Sequence, residues 1–138
     1  MALTDFNQDF KIPFRNFVLD DLEVSSLIED RFYGAYLATF YTQQTSFPLA
    51  TFHAEGGNFP NLNIIQKFFM RITAYSDQHY DEAYTVYKAI YERLGGENGP
   101  VAIDQTMIVR PITTPTETYD EESRLYGITS RFSIIWIS

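Results

Sequence analysis

Residues 63–94 read NIIQKFFMRITAYS (63–76) running straight into DQHYDEAYTVYKAIYERL (77–94), and Gly95-Gly96 follows at once. Two periodicities meet there. In the first half Phe68, Met70, Ile72 and Ala74 alternate with Phe69, Arg71, Thr73 and Tyr75. Successive side chains of an extended backbone point to opposite sides, so this is a strand with one consistently apolar face. In the second half Tyr80, Ala83, Tyr84, Tyr87, Ile90, Tyr91 and Leu94 recur at helical spacing and predict a single stripe facing a core. Ser76 or Asp77 is placed to cap the first turn, because a short side-chain oxygen can accept from the orphan amides there. Asp81 and Glu82 sit near the positive end of the helix dipole and Arg93 near the negative end. The glycine pair supplies the left-handed residue that stops the helix. Four tyrosines on one stripe can bury their rings and keep their hydroxyls near water, which suits a helix at a sheet margin or in a subunit contact.

The rest of the chain extends this unit on both sides. Residues 1–12 show no period and read as an N-terminal arm or frayed start. From Pro13 a helical face forms from Phe14, Phe17, Val18 and Leu22, with Pro13 in the first turn, where its missing amide costs nothing. A second short helical piece covers 23–28. The aromatic run 31–40 reads as strand, 47–54 as a second strand, and 55–62 (EGGNFPNL) as a loop. Three successive strands on short connections predict an antiparallel meander. After the helix, 101–112 reads as one strand, with Val101, Ile103, Met107 and Val109 on a face that also carries Gln105. Residues 113–123 (TTPTETYDEES) form an acidic loop. In the last strand, 125–137, Ile128, Phe132, Ile134 and Trp136 oppose Thr129, Arg131 and Ser133. Ile135 and Ile137 fall on this wetter face, and exposed apolar groups on a terminal strand point to a partner. The expected fold is α+β: one domain over 1–138, a single mostly antiparallel sheet of about five strands, and two helices (14–28 and 77–94) packed on one face.

Composition narrows the function classes. The chain has 138 residues, 45% of them hydrophobic and 17% aromatic, enough to build a core and too many for general disorder. The formal charge of −8 opposes coating of nucleic acid through phosphate contacts and favours solubility. With no cysteine there is no disulfide framework and no thiolate metal site, which is compatible with a reducing cytoplasm. The first residues lack the basic-then-apolar pattern of a signal peptide, and no run of about 18 apolar residues spans a membrane.

No phosphate loop, nucleophile elbow, zinc-protease helix or calcium loop is present. His53 with Glu55 and His79 with Glu82 would make a two-histidine, two-carboxylate metal site only if folding brought them together, and the plainer reading leaves both at the surface. Arg71, Arg110 and Arg131 interrupt apolar strands and are expected to pair with carboxylates of a neighbour or of this chain, the intrachain surface pair being the plainer reading. Glu117, Asp120, Glu121 and Glu122 form an acidic loop that could bind a cation weakly, the plainer reading being a solvated loop. The residues therefore point to a self-associating domain with no catalytic group, metal or cofactor.

The order and texture of FVLDDLEVSSLIEDRFY (17–33), FPLATFHAEGG (47–57), ITAYS (72–76), DEAYTVYKAIYERLGG (81–96) and RLYGITSRFSIIW (124–136) resemble the tail terminator (tail completion) proteins of long-tailed bacteriophages and phage-like particles. The resemblance spans Phe14 to Trp136. The phenylalanine-rich N-terminal arm and the long polar segment before the last strand depart from the family pattern. It implies a non-enzymatic virion protein without cofactor. Such a protein is assembled in the host cytoplasm as a ring, usually of six copies, on the end of the tail tube. There it stops elongation and contributes to head-tail joining, with DNA passing through the lumen without specific binding. Its partners would be copies of itself, the tube protein and the connector or neck proteins. The resemblance carries over no site residues; on the residues themselves, Glu117, Asp120, Glu121 and Glu122 are candidates for the lumen or head-facing rim, or else contact solvent outside the ring, and Ile135 and Ile137 are candidate contact residues. Loops 41–46, 55–62 and 113–123 are expected at ring surfaces. Two alternatives stand beside this: another neck, connector or head-completion protein of the same virion, and a small α+β ligand-binding or enzymatic domain using His53 and His79.

Overall fold

The computed structural model describes residues 7–61 and 65–137. A one-turn helical segment, Asn7–Lys11, leads into α1 (Ile12–Leu19) and α2 (Leu22–Ile28), and α3 spans Tyr80–Arg93. Seven strands form one sheet: β1 (Phe32–Tyr33), β2 (Leu49–Asn61), β3 (Ile65–Ser76), β4 (Val101–Ile103), β5 (Met107–Pro111), β6 (Thr116–Asp120) and β7 (Leu125–Ile137). Their order is β1-β2-β3-β7-β5-β4, and β6 also pairs with β7. The architecture is α+β, and every strand pair is antiparallel except β1–β2, which is parallel.

β3 and β7 form the spine, paired without a slip from Ile65↔Ile137 to Ser76↔Tyr126. Their alternation divides the sheet as the sequence predicts. Phe68, Met70, Ile72 and Ala74 meet Ile134, Phe132, Ser130 and Ile128 on one face, and all are buried. The helices cover this face. Phe10, Phe14, Phe32 and Phe52 pack ring on ring between α1 and the sheet, and Phe10 also meets Phe68 and Trp136 at 5.1 and 5.5 Å. The arm expected over 1–12 is thus, from Asn7 onward, helical and held by the fully buried Phe10; residues 1–6 lie outside the described residues.

Several expectations are corrected. The strand expected over 31–40 is two residues long; beyond Gly34 the chain turns through a short 3-10 segment, Leu37–Thr39, and the antiparallel meander does not start there. The aromatics beyond Gly34 pack over the sheet instead of pairing within it: Phe40 lies on Tyr33, and Tyr36 on His53. The loop expected over 55–62 continues as strand through Asn61, with register shifts at Glu55/Gly57 and Asn58/Asn61 that absorb the extra residues as bulges. The expected start of the central strand at 63–64 lies outside the described residues. The strand expected over 101–112 is a hairpin, β4–β5, turning at Asp104 and Gln105, both at positive φ. The acidic loop contains β6, so β5 and β6 lie one after the other along the same edge of β7. The sheet therefore has seven strands, not five, because each of these connections finds a partner edge.

On α3 the core stripe is Ala83, Val86, Tyr87, Ala89 and Ile90, continued by Leu94, whereas Tyr84 is 49% exposed. The expected stripe is rotated, with Val86 and Ala89 inside and Tyr84 outside. The cap also differs. His79 is the capping residue, its Nδ1 accepting from the Glu82 amide at 3.1 Å, while the Ser76 hydroxyl accepts from the Gln78 and His79 amides and bonds the Glu82 carboxylate at 2.7 Å. Arg93 closes the helical layer by stacking on the Phe17 ring and donating to the Phe17 carbonyl.

Candidate functional site

The second face of the sheet carries the residues left over by the helical core. Read across the strands it forms rows: Ile65–Ile137; Lys67–Ile135–Ile108; Glu55–Phe69–Ser133–Arg110; His53–Arg71–Arg131; Thr51–Thr73–Thr129–Thr116. Its two ends are treated differently. Toward the threonine row the face is closed. Thr51, Thr73 and Thr129 are buried, with Thr73 donating to Thr129 Oγ1 at 2.9 Å. The segment after Gly34 covers this end, and Leu49 and Leu125 are buried there, apart from the helix-side cluster. Toward Ile137 none of the described segments crosses the face. Ile65, Ile108 and Ile137 are 37%, 39% and 43% exposed, an apolar surface on a chain otherwise strongly acidic.

Between the two ends lies a charge cluster. The Glu55 carboxylate takes a hydrogen bond from Arg71 Nε at 2.8 Å and stands 3.5 Å from Arg131 Nε. The second contact is an ion pair without hydrogen-bond alignment, which leaves Arg131 Nε without a partner of that kind. Arg131 also lies over the Phe69 ring at 4.4 Å, and Arg71 reaches Thr129 Oγ1. One carboxylate between two guanidiniums leaves a positive excess. Lys67 and Arg110, both exposed and without an ion pair among the described residues, add to it. His53 borders the cluster, stacked on Tyr36 at 4.0 Å. Burial holds its pKa below the ordinary imidazole value; Glu55 pulls it up, and Arg71 and Lys11 push it down.

At the other end of β7 stands the β6–β7 hairpin. Glu117 and Asp120 lie on β6 and Glu121 and Glu122 in the turn, all exposed, with Asp120 Oδ1 accepting from the Glu122 amide. A cleft of about 700 Å³ lies beside it, lined by Tyr36, Tyr41, Tyr75, Tyr119, Asp120 and Glu122 among others. Burial pushes the Tyr75 phenol up, hydrogen bonds with Thr73 and Thr51 pull it back, and the Asp120 charge pushes it up again.

The structure thus brings Ile135 and Ile137 together with Ile65, Ile108 and Phe69, and sets the four carboxylates at the opposite end of the sheet. Ile65, Lys67 and Ile108 escaped the sequence reading, although each carried the same signal as Ile135: a position on the wet face of its strand. Arg71 and Arg131 take the intrachain alternative by pairing with Glu55, and Arg110 has no ion pair among the described residues. His53 and His79 stand on different elements, one stacked on Tyr36 and one capping α3. Among the described residues no group of three or more His, Asp or Glu is placed to hold a metal. No described helix is long and apolar enough to cross a membrane.

No family model matches the chain, and no curated protein matches it in sequence. Among solved structures, the fold is similar to that of a chain in the virion of a native gene transfer agent (GTA) particle, with a TM-score of 0.66 at 10% identity. The match covers 95% of this chain and 96% of that one.

Proposed function

We propose that this chain is a structural protein of a phage-like virion, and within it a tail terminator. In this reading copies form a ring, six in number, on the last turn of the tail tube. The ring ends tube growth, contributes the tail side of the head-tail junction, and lets DNA pass through its lumen. The protein is a building part, not an enzyme, and uses no cofactor. It is made in the host cytoplasm and resides in the virion at the tail or neck.

The observation that carries this reading is the likeness of fold to a virion chain over nearly the full length of both chains. Two features of the molecule support assembly. One is the isoleucine-rich end of the second sheet face, which none of the described segments covers. The other is the acidity of the chain, since a negative lumen repels phosphate and lets the duplex slide. Another neck or connector protein would use the same fold features, and the choice lies in the phenotype. Removing the gene from a particle-producing strain is expected to give tails of uncontrolled length that fail to join heads, restored by a copy supplied in trans. Tails of normal length already joined to heads would sink the terminator role, and their absence altogether would favour an earlier step.

A further inference from the structure

We infer that the isoleucine-rich end of the second sheet face is a docking surface for another copy of this chain, and that it receives the acidic β6–β7 hairpin of that copy. The inference rests on the reading of the protein as a self-associating virion subunit and names the two surfaces that meet. The receiving surface has an apolar floor, Ile65, Ile108, Ile135 and Ile137, with Lys67 and Arg110 standing in it and the Glu55-Arg71-Arg131 cluster at its inner border. On a chain of net charge −8, four of the ten lysines and arginines are gathered on this one face.

The complement is on the same molecule. Glu117, Asp120, Glu121 and Glu122 are exposed, have no ion pair among the described residues, and are offset only by Arg124 in the turn. Opposite potentials of this kind steer two surfaces together and fix their register. The tyrosine faces of the adjoining cleft, beside Asp120 and Glu122, suit the cationic end of Arg110 or Lys67 arriving from the other copy. One molecule cannot satisfy itself. β7 runs from the hairpin at Leu125 to the patch at Ile137, thirteen residues at roughly 3.3 Å each, so the two surfaces lie about 40 Å apart. A contact between two different surfaces, repeated, builds a ring or a filament.

The test is sedimentation of the purified full-length chain. The wild type is expected to self-associate and to do so less as salt rises. The pair Lys67→Glu with Arg110→Glu, and separately the pair Glu121→Lys with Glu122→Lys, should each weaken association about tenfold or more. The fourfold exchange, and an equimolar mixture of the two double variants, should restore it. All these positions are exposed, so thermal melts should match the wild type. Double variants that associate like the wild type would overturn the inference, as would a folded fourfold exchange that stays dissociated or a wild type monomeric at every concentration. So would loss of duplex-DNA retention in the Lys67/Arg110 variant with its mass unchanged, which would assign the face to nucleic acid. Association that stops at two copies would keep the contact and sink the ring, whereas the tail phenotype decides the virion role separately.

Discussion

The Tyr87 hydroxyl meets Ser130 Oγ at 2.6 Å where α3 presses on β7, and both residues are buried. Burial pushes this phenol up, and the serine hydrogen bond pulls it partly back. Tyr87→Phe keeps the ring and strands the serine hydroxyl, so it should cost about 1–2 kcal/mol. Tyr87→Ala, which also opens a cavity, should cost about 3–5 kcal/mol. Tyr84→Ala, one residue-step off the core stripe, should stay within about 0.5 kcal/mol. Denaturant melts of the three variants check this ordering. His53 makes a different prediction. Its folded-state pKa lies below 6.5 because of burial, so below that pH the unfolded chain takes up a proton that the folded chain resists. Its contribution to stability is therefore full above pH 6.5 and is lost as pH falls toward the folded-state value. His53→Phe retains a ring against Tyr36 and cannot titrate. Its melting temperature should fall less than that of the wild type between pH 7.5 and 5; parallel curves would refute the assignment.

At the scale of elements, two turns show how strictly the backbone is held. Gly95 ends α3 at φ 101°, and a Cβ there would stand 2.2 Å from the Gly99 carbonyl oxygen. Gly95→Ala should destabilise the fold by more than about 1 kcal/mol, through both the left-handed conformation and the clash. The β4–β5 turn has the opposite defect. Asp104 and Gln105 sit at φ 51° and 60°, closed by the Thr106 amide on the Ile103 carbonyl at 3.1 Å. Two consecutive positive φ values call for Asn-Gly or Asp-Gly, so Gln105→Gly should stabilise the hairpin by about 1 kcal/mol. A lower melting temperature would mean that the Gln105 side chain has contacts worth more than the strain.

For the whole molecule the division of labour lies between the two faces of one sheet. The helix-side face is closed by the phenylalanine cluster and α3. Among the described residues the other is closed where the segment after Gly34 crosses it, and Ile65, Ile108 and Ile137 at the far end stay partly exposed. Ile65→Ser with Ile137→Ser should therefore cost the monomer no more than about 2 kcal/mol, from the part of each side chain already buried, and reduce assembly. A larger loss of stability would instead place these residues in the fold. Reversing Glu117, Glu121 and Glu122 to Lys should likewise leave the monomer folded and impair particle maturation; particles that infect at the normal rate would remove the hairpin from the mechanism.

The local periodicities settled much by themselves. The alternation of Phe68, Met70, Ile72 and Ala74, the helical recurrence from Ala83 to Leu94, and the stop at Gly95 are consequences of backbone geometry within a few residues. They were legible without any neighbour, as was the place of Ile135 and Ile137 on the wet face of the last strand, where Ile135 is half-buried and Ile137 exposed. What needed tertiary structure was the identity of the neighbours. That 113–123 contains a strand depends on β7 offering an edge to Thr116–Asp120, because its own side chains are polar and exposed on every residue. That the aromatic run after Gly34 is a cover and not a strand depends on the ring of His53 beneath Tyr36. The candidate site is of the same kind: Ile65, Lys67, Ile108, Arg110 and Ile137 come from three strands, and only the register of β3 and β5 on β7 makes one surface of them. Register is a long-range property, fixed by the burial of the opposite face, so a one-residue slip that no local pattern forbids would have dispersed that surface.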